Sequence, residues 1–191
     1  MTRPDVASLG WLGMLAALTA APVPVVIAAD YLSVEGAQKA LFPAADQFTE
    51  LVLALDPAQR ARVQALAGTQ PPHRSLRAFR ALRGSELLGY VFIDEVIGKE
   101  DFITYAAAID ASGRLGALEV LSYRESHGGE IRAPAWRHQF AGRGDLNELK
   151  VATDIKNIAG ATLSCGHVTE GVRWLVALWE VSLRSDTTPA A

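Results

Sequence analysis

The sequence predicts an α+β domain, with helices packed against one antiparallel sheet. Three observations predict it. Four β-like runs follow one another between Leu76 and Tyr123 with only short turns between them, and strands joined by short turns pair antiparallel. Helical segments flank that block, the last a long apolar stretch from Val168 to Leu183. No strand–glycine-rich turn–helix unit stands early in the chain, which disfavours a Rossmann fold.

The elements follow in order. Ser33-Val34-Glu35 is a helix start, with Ala37, Ala40 and Leu41 at helical spacing until Pro43 ends the run. Phe48–Leu55 alternates and is β-rich at its centre, so it reads as a strand. Asp56-Pro57 caps a helix that runs through Leu66 to Gly68, proline being suited to the first helical position. Thr69–Arg74, with two adjacent prolines, is a loop. The β runs are Leu76–Leu82, Leu87–Val96, Phe102–Ile109 and Leu115–Tyr123. Arg83-Gly84-Ser85, Gly98–Asp101 and Asp110-Ala111-Ser112-Gly113 punctuate them as turns. Tyr123–Pro134 reads as a loop and Ala135–Phe140 as a short helix. No internal repeat is present.

The first 29 residues read as a secretory signal peptide or an N-terminal membrane anchor. Arg3 precedes an uncharged stretch from Val6 to Ala29. Pro22 and Pro24 break it, and small residues allow cleavage after Ala28 or Ala29. The stretch is also about long enough to span a bilayer, which takes roughly 20 residues. Either reading places the remainder in the periplasm or on the extracytoplasmic face of the membrane. Residues 30–184 then form the domain, and 185–191 a flexible tail.

Composition narrows the function. Half of the 191 residues are hydrophobic and a fifth are charged, a globular balance. A net charge of −3 gives no basic face for nucleic acid. One cysteine, Cys165, excludes an internal disulfide, a cysteine-rich zinc site and a c-type haem attachment.

The most informative stretch is Ile158-Ala159-Gly160-Ala161-Thr162-Leu163-Ser164-Cys165, ahead of the closing helix. It sets two hydroxyls on a small-residue turn at a helix start. Unpaired N–H groups and the positive end of the macrodipole let a phosphate sit there without a basic side chain. Small residues allow a ligand close to the backbone. Taken alone, Gly-Ala-Thr before a helix is equally an ordinary helix N-terminus.

Gly160-Ala161-Thr162-Leu163-Ser164 resembles the flavinylation motif of the FMN-binding domain family. Members include the C subunit of the sodium-translocating NADH:quinone reductase and the G subunit of the Rnf complex. Further pieces carry the resemblance. Tyr31–Ala37 through Phe42-Pro43 is similar to the family's opening helix. Gly89-Tyr90-Val91-Phe92 with Val96-Ile97-Gly98-Lys99 is similar to its central hairpin. Tyr123–Gly128 with Trp136 and Phe140 is similar to its Glu-Thr/Ser-x-Gly loop and short helix. The resemblance spans Asp30 to about Leu183.

It implies an extracytoplasmic electron-transfer flavoprotein, or a subunit of an oxidoreductase. FMN would be held through a phosphoester on Thr162, made by a dedicated flavin transferase. Gly160, Ala161, Leu163 and Ser164 would surround the phosphate. Glu125, Ser126, His127, Gly128 and Trp136 would flank the flavin. The partners implied are redox proteins such as a membrane cytochrome or another flavoprotein, with membrane association through the N-terminus. The chain departs from the motif at two places: Ala159 stands where the family has Ser or Thr, and Lys156 where it has Asp, while Asp154 lies two residues earlier. These departures keep open a cofactor-free binding module of the same fold. A flavin-dependent reductase of a small substrate is the other alternative.

Other residues read as structure. Trp136 suits either a flavin wall or the core. Trp174 and Cys165 read as core, Glu95 and Glu100 as solvated residues flanking a hairpin, and His73 and His138 as surface. His127 has no second ligand cluster around it, so no metal is expected.

Overall fold

Six strands form a single sheet in the order β1-β6-β5-β4-β3-β2, every neighbouring pair antiparallel. The computed structural model of the chain describes residues 29–69, 76–125 and 128–187. The expected signal or anchor (but for Ala29), most of the Thr69–Arg74 loop with His73, the pair Ser126-His127, and residues 188–191 lie outside those. The strands are β1 (Ala29–Asp30), β2 (Gln47–Leu51), β3 (Arg77–Arg83), β4 (Glu86–Ile97), β5 (Phe102–Asp110) and β6 (Leu115–Tyr123). The helices are α1 (Val34–Leu41), α2 (Pro57–Ala67), the short α3 (Pro134–Arg137) and α4 (Thr162–Ser182).

β2 to β6 form a meander of hairpins, while β1 closes the far edge against the end of β6. The β1–α1–β2 connection therefore crosses the sheet, and α1 covers one face. Residues alternate along each strand, so period-2 patterning sorts them between the two faces. Phe79, Val91, Ile93, Ala106, Ala108 and Leu121 meet Ala37 and Leu41 of α1. Tyr90, Phe92, Ile103, Tyr105, Leu118 and Val120 meet the larger core under α2 and α4. Both faces are covered, which explains why β4 and β5 read as nearly continuous apolar runs.

Three expectations change in detail. β2 ends at Leu51 rather than Leu55, because its last partner is Ala78, beside the start of β3 at Arg77. The closing helix begins at Thr162, not Val168, so the motif hydroxyls lie in its first turn instead of ahead of it. Arg184–Thr187 form a 3-10 turn, so the expected tail starts with regular backbone.

Between β6 and α4 the chain has little regular structure and is tied by side chains to backbone groups. Trp136 Nε1 donates to the Lys156 carbonyl at 3.0 Å, and Gln139 Oε1 accepts from Lys156 N–H at 2.8 Å. Arg143 donates to the Glu148 carbonyl at 2.8 Å, and Arg173, from α4, to those of Leu146 at 2.6 Å and Ala67 at 3.0 Å. These bonds give backbone groups in the irregular segment and at helix ends their partners.

Candidate functional site

The motif lies at one end of the sheet, where β4 ends, β5 starts and β6 ends. Register brings these together: Ile97 faces Phe102, and Ile103 faces Tyr123. Ile158 to Ala161 make a turn closed by the Ala161 N–H on the Ile158 carbonyl at 3.0 Å. Gly160 holds a φ of 84° there, a conformation that glycine adopts without strain. α4 follows at once, its first bond running from Cys165 N–H to the Ala161 carbonyl at 2.9 Å. The N-cap is Ala161, so no side chain caps this helix. The N–H groups of its first turn are left for a ligand or water.

The two hydroxyls have different fates. Thr162 is solvent-exposed. Ser164 is 4% exposed, and its Oγ lies 3.3 Å from the Tyr123 hydroxyl. Ser164 thus neither caps the helix nor faces solvent; it ties α4 to the end of β6. Burial raises the Tyr123 pKa and the Ser164 hydrogen bond lowers it, the net being upward with Glu125 and Glu130 nearby. Cys165 is fully buried, and burial pushes its thiol up as well. It packs as core.

In front of the motif is a cleft of about 450 Å³, lined by Lys99, Glu100, Glu125, Gly128–Glu130, Ala159–Ala161, Leu163 and Ser164. Of the residues expected to hold a ligand, Gly160, Ala161, Leu163, Ser164, Glu125 and Gly128 meet here. Thr162 is not itself a lining residue but stands between two that are. Trp136 is not at the cleft. It is 3% exposed, edge-on to Phe140 at 5.2 Å, and bonded to the Lys156 carbonyl, so it supports the segment that leads into the motif. Ser126 and His127 lie outside the described residues.

Gly128 joins the two halves of the cleft. Its φ is 88°, and a Cβ there would stand 2.5 Å from the Tyr123 hydroxyl and 3.1 Å from the Ala161 Cβ. The loop after β6 thus lies directly on the motif. Glu125 turns the other way: its Oε1 accepts from the backbone N–H groups of Lys99, Glu100 at 2.7 Å and Asp101 at 3.0 Å. Burial works to raise its pKa, but the N–H groups and the Lys99 charge outweigh it and hold the carboxyl below its usual range. Glu125 therefore spends its charge on the β4–β5 turn.

Lys99, Tyr123 and His167 belong to this neighbourhood, and the sequence reading assigned none of them a part in it. Their signals are non-local: His167 reaches Ile97, which is 70 residues away. Asp154 is occupied elsewhere, accepting from the Lys150 N–H at 2.9 Å. Glu95 accepts from the Thr104 hydroxyl at 3.1 Å, Glu100 is exposed beside Lys99, Trp174 is buried and His138 is exposed. Among the described residues, no group of three or more His, Cys, Asp or Glu could hold a metal ion. No described helix is long and apolar enough to cross a membrane.

Residues 98–177, from the β4–β5 turn through most of α4, match the family model of the FMN-binding domain. The chain carries an FMN-binding domain. The match supports flavin binding in the manner of the family that the motif resembles, and the α+β fold agrees. No curated protein matches the chain. The site fits FMN on its own geometry. An uncapped helix start suits a phosphate, and the cleft is in the usual size range of small-ligand sites, roughly 300–1,000 Å³.

Proposed function

We propose that the chain is an extracytoplasmic flavoprotein whose FMN is linked by a phosphoester to Thr162 and which passes electrons between redox partners at the membrane. One observation carries the attachment: within the matched domain, the exposed Thr162 is the first residue of a long helix that no side chain caps. Esterification exchanges the Thr162 O–H for an O–P bond, a flavin transferase supplying the activated FMN and taking away its leaving group. The N–H groups of the first turn of α4 would then hold the remaining phosphate oxygens, with the positive end of the helix favouring their charge. FMN supplies the electron chemistry, and the protein supplies position and electrostatics. Leu163, 51% exposed at the cleft, and Ile97, 44% exposed at the end of β4, leave an apolar rim for a redox partner. The apolar N-terminal stretch, with small residues at Ala28 and Ala29, supports export.

The test is in-gel flavin fluorescence of the denatured protein after expression with a flavin transferase. Thr162→Ala is expected to lose all fluorescence and Ser164→Ala to keep it. Wild-type protein with neither fluorescence nor released flavin would overturn the reading. It would favour the cofactor-free module, whose support is Ala159, Lys156 and the engagement of Asp154 with Lys150.

A further inference from the structure

The β4–β5 turn is held from two sides by groups distant in sequence. Three successive N–H groups, those of Lys99, Glu100 and Asp101, converge on Glu125 Oε1. Consecutive N–H groups in one concavity form an anion nest, and here the anion is the protein's own carboxylate. The fit is close: a Cβ at Gly98 would stand 2.3 Å from that same oxygen. From the helix side, His167 Nδ1 lies 2.6 Å from the Ile97 carbonyl and 3.2 Å from that of Gly98. A carbonyl only accepts, so Nδ1 carries the proton and donates. An exposed turn beside the cleft is thereby given one shape.

Lys99 is what this shape sets at the cleft. It is the sole Lys or Arg among the described lining residues, beside Glu100, Glu125 and Glu130. Glu125 is engaged by the turn, and the Lys99 side chain makes only an exposed ion pair with Glu100, Nζ to Oε1 at 3.5 Å, which negative charge on a ligand can displace.

We propose that Glu125 is a positioning residue: through the N–H groups of the turn it sets Lys99 as the cation that favours the reduced, electron-richer form of the flavin. This rests on the flavin reading above. A nearby cation lowers the energy of a group that gains negative charge, so Lys99 raises the midpoint potential.

The test uses the full chain expressed with a flavin transferase, the potential of its FMN being read by spectroelectrochemistry. Lys99→Gln is expected to lower the ratio of reduced to oxidised flavin at a fixed potential about tenfold, near 30 mV for a two-electron couple. Lys99→Arg restores it. Glu125→Ala also removes a negative charge, which by itself raises the potential, so its positioning role is read from a double-mutant cycle: the fall caused by Lys99→Gln is expected to shrink severalfold in the Glu125→Ala background. In the Glu125→Gln background, which keeps an acceptor of the same size but no charge, the fall shrinks in part. An unchanged potential in Lys99→Gln overturns the proposal, as does full additivity of Lys99→Gln with Glu125→Ala. The amide NMR signals of Lys99, Glu100 and Asp101 in flavin-free protein give an independent reading. They are expected to move together in Glu125→Gln, and unmoved signals overturn the positioning role. A wild type that binds no flavin would count against the flavin reading alone, leaving these signals to decide on Glu125.

Discussion

α2 and α4 begin in opposite ways. At α2, Asp56 accepts from the Gln59 N–H at 2.8 Å and Gln59 Oε1 accepts from the Asp56 N–H at 3.1 Å, so each closes the other's open donor. α1 is closed similarly, Ser33 accepting from the Gly36 N–H at 3.0 Å. α4, with 21 residues, starts from Ala161 and has no side-chain cap. A cap contributes about 1 kcal/mol, which matters to a short helix on the surface. α4 holds its place through its buried face instead, where Val168, Val172 and Leu175 are fully buried. Burying each such side chain is worth roughly 1.5–3 kcal/mol, so the start of α4 is free to serve a ligand. Where packing supplies the stability, the helix end becomes available to chemistry.

The largest expected effect separates those two roles. Thr162→Ala removes all covalent flavin, yet changes the stability of flavin-free protein by no more than about 0.5 kcal/mol, the usual range for an exposed residue without partners. Urea melts of the flavin-free variant and wild type check the second half. A loss above about 1 kcal/mol would mean that Thr162 supports the helix, and the contrast with α2 would fail.

The middle of α4 covers a buried carboxyl. Asp94 is 1% exposed, with Oδ2 accepting from the Tyr105 hydroxyl at 2.7 Å, and a Cβ at Gly171 would stand 3.1 Å from Oδ2. Burial raises the Asp94 pKa from 3.8 to about 6, against the lowering effect of the Tyr105 hydrogen bond. The folded state therefore binds this proton more tightly than the unfolded one. The resulting stability is fully present below about pH 4 and is lost as pH rises through about 6. Asp94→Asn cannot ionise, so its stability relative to wild type should climb by up to about 3 kcal/mol between pH 4 and 7. Melts across that range decide it, and a flat difference would show that Asp94 ionises as freely folded as unfolded.

Asp56→Ala is expected to cost about 1 kcal/mol, since it opens both bonds of the α2 box. The midpoint of urea unfolding should fall at unchanged slope while flavin attachment stays at the wild-type level. Loss of flavin in this variant would mean that the start of α2 acts on the start of α4.

Much of the fold was legible because local rules agreed with the tertiary result. Asp110 shows it: its Oδ1 accepts from the Ser112 N–H at 2.8 Å and the Arg114 N–H at 3.0 Å, and Gly113 takes a φ of 88°, as the turn residues require. The start of α4 was placed late because Thr162–His167 mixes Ser, Thr and Gly with few apolar residues, and its inward side is Ser164 and Cys165. The motif could be found through its resemblance, but its surroundings could not. Tyr123 meets Ser164 across 41 residues and Glu125 meets the 98–101 turn across 24 to 26, pairings that sheet register creates and no period encodes. Trp136 left two readings open, and its bond to the Lys156 carbonyl chooses the core.

The smallest expected effect is also the most direct probe of the open donors at α4. Thr162→Asp puts a carboxylate on the first residue of an uncapped helix while removing the hydroxyl that attachment needs. A negative charge in the first turn is worth about 0.3–1 kcal/mol, and an exposed aspartate at this position can also accept from the free N–H groups. Flavin-free Thr162→Asp should therefore be more stable than wild type by that amount at neutral pH, and the gain should shrink at high salt as the charge is screened. A change in the first turn of α2, Ala58→Asp at its second residue, should gain less, because the box between Asp56 and Gln59 already occupies donors there. Urea unfolding of the two variants at low and high salt reads both gains. Equal gains at the two helices, or none at α4, would mean that its first turn is already satisfied, and the phosphate would have no vacancy to fill.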